Sequence, residues 1–167
     1  MSLPGERFER AVAAIDAANA EDPRRLRGQP MALVEGRLVS DWAVRLRPDA
    51  GEALLLAARA HHLRRWTLPR SAEPPGRAGY LRWRRRLKDL HARAVDPLLR
   101  GAGYDDATVE RVRRLVRRES LATDPEVQTL EDAVCLVFVE TQLEQFARQV
   151  ADDDKVVEVI RKTLPKM

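Results

Sequence analysis

A chain of 167 residues that is 44% hydrophobic and 34% charged is long enough to bury a core. No apolar run reaches membrane-spanning length, the first ten residues hold no secretory apolar segment, and the single cysteine, Cys135, excludes an internal disulfide. These features predict a cytoplasmic protein with no membrane partner, and a formal net charge of +4 adds a preference for anions.

The helical period dominates, and neither an internal repeat nor strand-type alternation is present. The first helix is predicted over Pro4 to Ala20, with Phe8, Val12 and Ile15 on one side, and Asp22-Pro23 ends it. A polar loop through Arg27-Gly28-Gln29 leads to a second helix from Pro30 to Leu46, with a weak point at Gly36. Asp49 is the expected cap of a third helix from Ala50 to Trp66, whose Ala53-Leu-Leu-Leu-Ala-Ala58 is apolar all round and therefore central.

Pro69, Pro74 and Pro75 make Thr67 to Gly76 a loop. The fourth helix is predicted from Arg77 to Arg100, with Tyr80, Trp83, Leu87, Leu90, Ala94 and Leu98 in register and a kink or restart at Asp96-Pro97. Gly101-Ala-Gly103 stops it. Asp105 or Asp106 opens a fifth helix through Val109, Val112, Leu115 and Val116. Asp124-Pro125 opens a sixth, running to Val150, and Asp152 to Asp154 a short last one through Ile160. Seven short-looped helices imply a single all-α domain over residues 1–167, centred on the third, fourth and sixth helices.

The sixth helix carries an anomaly. Glu131 falls on the apolar face made by Val127, Leu130, Val134, Val137 and Phe138, and Asp132 neighbours Cys135, Leu136 and Val139. A carboxylate among apolar groups needs a cation, a metal, hydrogen bonds or a proton. The expected partner is an arginine or histidine of the third or fourth helix. Between Arg59 and Arg93 eleven basic residues face two acidic ones, a local charge of about +9. Arg64, Arg65, Arg70, Arg82, Arg85 and Lys88 are thus candidates for an anion pocket under the Thr67 to Gly76 loop, with Glu131 beside it and Trp66 and Tyr80 as walls. Trp83 lies on the apolar stripe and belongs to the core. The only histidines are His61, His62 and His91. Adjacent helical residues diverge, so one of His61 and His62 is expected to face the cleft.

The segments Ala57-Ala-Arg-Ala-His-His62, Leu87-Lys-Asp-Leu-His-Ala-Arg-Ala94, Leu98-Leu-Arg-Gly-Ala-Gly-Tyr104, Val109 to Arg118 and Leu130-Glu-Asp-Ala133 resemble, in order, helices of the HD-type metal phosphohydrolases. The resemblance implies a helical bundle in which metal ions activate water against a phosphate ester, with His62, His91 and Asp132 as catalytic residues. The pattern is degenerate. His62 is followed by Leu63 in place of Asp, and the helix from Pro30 to Leu46 has no histidine, so neither metal nor cofactor is named by the sequence. More closely, the chain resembles a domain-of-unknown-function family of small bacterial helical proteins, DUF4202-like. The residues that carry this are Glu6-Arg-Phe-Glu-Arg-Ala11, Asp16-Ala-Ala-Asn19, His62-Leu-Arg-Arg-Trp66, Pro69-Arg70, Ala78-Gly-Tyr-Leu-Arg-Trp-Arg84, Leu87-Lys88, His91, Asp124-Pro-Glu-Val-Gln-Thr-Leu-Glu-Asp132 and Cys135-Leu-Val-Phe138. Three functions fit these features. The leading one is a diverged phosphohydrolase-type domain that binds a phosphorylated small molecule or nucleotide. The others are a non-catalytic anion-binding or protein-interaction module, and a nucleic-acid binder.

Overall fold

The computed structural model describes residues 4–149 and 153–166, so the expected helix end at Val150 and the cap at Asp152 lie outside the described residues. Among the described residues the chain forms eight α-helices: α1 (Pro4–Asn19), α2 (Met31–Leu46), α3 (Glu52–Ala60), α4 (Arg77–Ala102), α5 (Asp106–Val116), α6 (Pro125–Thr141), α7 (Leu143–Gln149) and α8 (Asp153–Thr163). The all-α expectation holds.

Local chemistry sets several boundaries where the sequence puts them. The Asp105 side chain accepts the Thr108 N–H at 2.8 Å to start α5. Asp124 accepts the N–H groups of Glu126 and Val127 at 3.0 and 3.4 Å to start α6, with Pro125 in its first turn. Gly103, at φ 95°, ends α4, and the Tyr104 N–H reaches back to the Leu99 carbonyl at 3.1 Å.

Other boundaries differ. The loop before α2 closes as a short antiparallel ribbon of β1 (Arg25–Leu26) and β2 (Gln29–Pro30), because Arg27 and Gly28 both adopt the positive φ of a tight hairpin turn. Asp22, 1% exposed, ties this ribbon down by accepting the backbone N–H groups of Arg24 and Ala32, each at 2.9 Å, and serves the open start of α2 from a distance. Helix α2 passes Gly36 unbroken, and α4 passes Pro97 unbroken, with Val95, Leu99 and Ala102 buried around the missing hydrogen bond. Gly51, not Asp49, precedes α3. Helix α3 stops at Ala60, six residues short of expectation: Arg64 turns left-handed at φ 61° and Arg65–Thr67 form a separate 3₁₀ turn. Helix α6 ends at Thr141, where Gln142 leaves helical geometry and α7 begins as a separate helix.

The centre is α3, whose Leu54, Leu56, Ala57, Ala58 and Ala60 are fully buried. It packs against α1, α2, α5 and α6, while α2 bridges α3 to α6. The expected central role of α4 is not observed: it packs on α1 and α5 with one stripe buried (Trp83, Leu87, His91, Val95, Leu99) and its arginine face in solvent. One apolar stripe buries one side only. The end of α3 is pinned from two sides. Arg59 makes two hydrogen bonds to Asp16 of α1, at 2.7 and 2.8 Å, and its carbonyl accepts from Asn19 Nδ2 at 3.0 Å. On the α2 side Gly36 lies so close that a Cβ there would sit 2.7 Å from the Arg59 carbonyl oxygen. This close approach brings Glu35 to the histidines at the end of α3.

Candidate functional site

A cavity of about 390 Å³ opens beside the end of α3. Glu35 comes from α2, His61 and His62 from the turn after α3, and Arg65 from the 3₁₀ turn. Tyr80, Arg84, Leu87, Lys88 and His91 come from α4, and Glu131, Val134, Cys135, Val137 and Phe138 from α6. Arg118 closes one side, and Gln142, Val159 and Thr163 complete the rim. The volume suits a small metabolite.

One end is built from imidazoles. His61 Nδ1 donates to the Ala58 carbonyl at 2.9 Å, His91 Nδ1 to the Leu63 carbonyl at 2.6 Å, and His62 Nδ1 to Glu35 Oε2 at 2.7 Å. A carbonyl can only accept, so His61 and His91 carry their proton on Nδ1 when neutral and keep a lone pair on Nε2. Among the described residues no donor meets Nε2 of any of the three. The rings stack in sequence, with centroids 4.0 Å apart from His61 to His62 and 6.0 Å from His62 to His91. Burial, reinforced at His61 by His62 and at His62 by Arg65, drives both well below the usual imidazole range. Burial takes His91 to about 3. All three are therefore neutral bases near pH 7.

Glu35 is 2% exposed, and its second oxygen accepts from Gln142 Nε2 at 2.6 Å. Burial raises its pKa, opposed by His61, Arg24 and Arg65. Glu35, His61 and His62 each offer one ligand atom, all within 4.8 Å of one another, and so form the group that could hold a metal.

The cavity also has a cationic wall. Arg65 lies over the Trp83 ring at 5.0 Å, and burial lowers its pKa, partly offset by Glu35. Arg84 donates to the Tyr80 hydroxyl at 3.1 Å. Neither guanidinium has a carboxylate within 4 Å among the described residues. Arg118, at φ 59°, points inward: Nε donates to Glu131 Oε2 at 3.2 Å and a terminal nitrogen to the Val116 carbonyl at 2.9 Å.

The structure thus gathers His62, His91, Arg65, Lys88 and Glu131 around one cavity and leaves the other sequence candidates outside it. Arg64 pairs with Glu21, Arg82 with Glu73 at 3.0 Å, and Arg70 donates to carbonyls of its own loop, those of Glu73, Pro74 and Gly76. Arg85 points to solvent. Asp132 meets Gln128 at 2.7 Å, and burial raises its pKa. The partner of Glu131 is Arg118, from the turn after α5, in place of a residue of α3 or α4. Both His61 and His62 line the cavity, at the point where α3 ends.

Glu35, His61, Arg84, Arg118 and Gln142 join the site without having been expected there. Glu35 has a legible signal, a carboxylate inside the apolar Ala32-Leu-Val-Glu35 turn, the same anomaly that marks Glu131. Arg118 has none, since its inward aim depends on a left-handed backbone in a reversal between helices. No curated protein and no solved structure matches the chain. The domain of unknown function DUF4202 matches residues 9–167, and with nearly the whole sequence covered the chain belongs to that family.

Proposed function

We propose that the cavity binds a phosphorylated small molecule or nucleotide and that the protein is a diverged phosphohydrolase-type domain. The observation that carries this reading is that unpaired guanidiniums and neutral imidazoles line one cavity. Arg65 and Arg84, both without carboxylate partners among the described residues, line it together with three neutral imidazoles. Guanidinium groups bind phosphate through paired donors, and neutral imidazoles supply the proton acceptors or metal ligands that phosphoester cleavage uses. In this reading Arg65 and Arg84, with Lys88, hold the phosphate. His62 and His91 stay catalytic candidates, and Glu35 takes the place expected for Asp132.

The nucleic-acid reading is weaker. Of the arginines on the outer face of α4, Arg82 and Arg86 share the Glu73 carboxylate, which offsets one of their two charges, and Trp83 is buried with its Nε1 on the Leu68 carbonyl, so that ring is no stacking platform.

Thermal denaturation against inorganic phosphate, sugar phosphates and nucleotides tests the proposal. A ligand at one hundred times its dissociation constant adds about 2.7 kcal/mol. The shift should vanish in Arg65→Ala/Arg84→Ala and persist in Arg82→Ala/Arg85→Ala. The reverse pattern, or no shift with any phosphate, contradicts it. Hydrolysis of the stabilising ligand separates an enzyme from a non-catalytic binding module.

A further inference from the structure

We infer that Glu35, His61 and His62 form a mononuclear site for a divalent transition-metal ion of the zinc or cobalt type. The three donors come from α2 and from the turn after α3, and their ligand atoms lie within 4.8 Å of one another. Two imidazoles and one carboxylate are a donor set that zinc takes with a fourth position open. Bonds of about 2.0–2.2 Å place tetrahedral ligands about 3.4 Å apart, so side-chain rotations of about an ångström close the site.

The surroundings are those of a supported metal centre. His61, 3% exposed, has Nδ1 fixed on the Ala58 carbonyl, which holds its ring and leaves Nε2 without a donor among the described residues. Gln142 Nε2 donates to the carboxylate oxygen of Glu35 that His62 does not use. Such outer hydrogen bonds fix tautomer and ligand orientation. The close approach at Gly36 sets the distance between the two contributing elements before any metal arrives.

This ligand set shares only His62 with the trio implied by the HD resemblance. His91 stands beside the cluster and Asp132 lies away from it. Charge also links the site to the cationic wall. A divalent ion with one carboxylate and two neutral imidazoles keeps a net positive charge next to Arg65, so the open position favours an anionic oxygen. That last step rests on the proposed phosphate binding, whereas the metal site itself does not.

Metal-stripped full-length protein should be titrated with Co²⁺, followed by visible absorption and calorimetry, with Zn²⁺ as competitor. One ion per chain, with the intense ligand-field bands of a four- or five-coordinate site displaced by Zn²⁺, is the expected result. Glu35→Gln and His61→Gln, each checked for folding by circular dichroism, should weaken binding more than about tenfold, and Gln142→Ala by about 10-fold. Asp132→Asn should leave it unchanged. No saturable binding by the wild-type protein, or undiminished binding in both folded ligand variants, overturns the inference. Metal binding without phosphate-dependent stabilisation refutes the phosphate reading alone; phosphate stabilisation without metal binding refutes the metal site alone.

Discussion

Truncating Arg118 should be among the most costly single changes in this protein. Its side chain is 11% exposed and that of Glu131 14%, so Arg118→Ala strands a nearly buried carboxylate and also frees the Val116 carbonyl. Breaking a buried pair from one side costs about 3–5 kcal/mol. Residual exposure and water entry through the cavity favour the lower end, about 3 kcal/mol, which corresponds to roughly 6–12 °C in Tm for a chain of this size. The backbone supplies an internal control. Arg118 sits at φ 59°, where a non-glycine residue is strained by roughly 1–2 kcal/mol. Arg118→Gly should therefore be about 1 kcal/mol less damaging than Arg118→Ala, the reverse of the usual order in a helix. The double variant Arg118→Met/Glu131→Leu removes both charges and should recover most of the loss. Urea denaturation followed by circular dichroism measures these proteins together with the single variants Arg118→Met and Glu131→Leu. A loss below about 1 kcal/mol in Arg118→Ala, or additive losses in the double variant, would refute the claim that this pair is a buried, coupled ion pair.

Gly36→Ala should destabilise by about 1–3 kcal/mol, since its Cβ would lie 2.7 Å from a backbone oxygen that cannot swing aside; an unchanged melt would contradict the close α2–α3 approach. Asp132→Asn should hold or raise Tm at pH 7, because burial raises the folded carboxyl's pKa and ionisation there works against the fold; a large loss would show a cationic partner. The Arg111 hydrogen bond, helped by the Val127 and Glu126 N–H groups, holds Asp124 at about 2. A depressed carboxyl stabilises above its ordinary value near 3.9 and loses that contribution as pH falls towards 2, so Asp124→Asn should flatten the acid limb of stability between about pH 4 and 2 while keeping the helix cap. An acid limb as steep as in the unchanged protein would contradict the assignment.

The parts of this fold legible in sequence are those set by neighbours along the chain. Asp105, Asp124-Pro125 and Gly103 mark helix ends through hydrogen bonds made within three or four residues. The end of α3 is not legible, because Ala60-His-His-Leu-Arg contains no breaking residue, and the left-handed turn at Arg64 falls on a residue that does not favour it. The same limit applies to the site. Charge density pointed to the Arg59–Arg93 stretch, yet only the fold decides which cations face inward. Half-buried Arg65 does, and exposed Arg84 borders the cavity, while Glu73 gathers Arg82 and Arg86 outside. Glu131 was recognisable as a buried acid from its apolar register, but its partner came from a reversal with no helical period to read.

A crystal structure with tungstate, a heavy phosphate mimic, tests the central claim most directly. The account predicts a strong anomalous peak within hydrogen-bond distance of the Arg65 and Arg84 guanidinium groups, on the side of the cavity facing His62. Tungstate absent from the cavity and bound instead along the outer face of α4, at Arg82, Arg85 and Arg93, would contradict it.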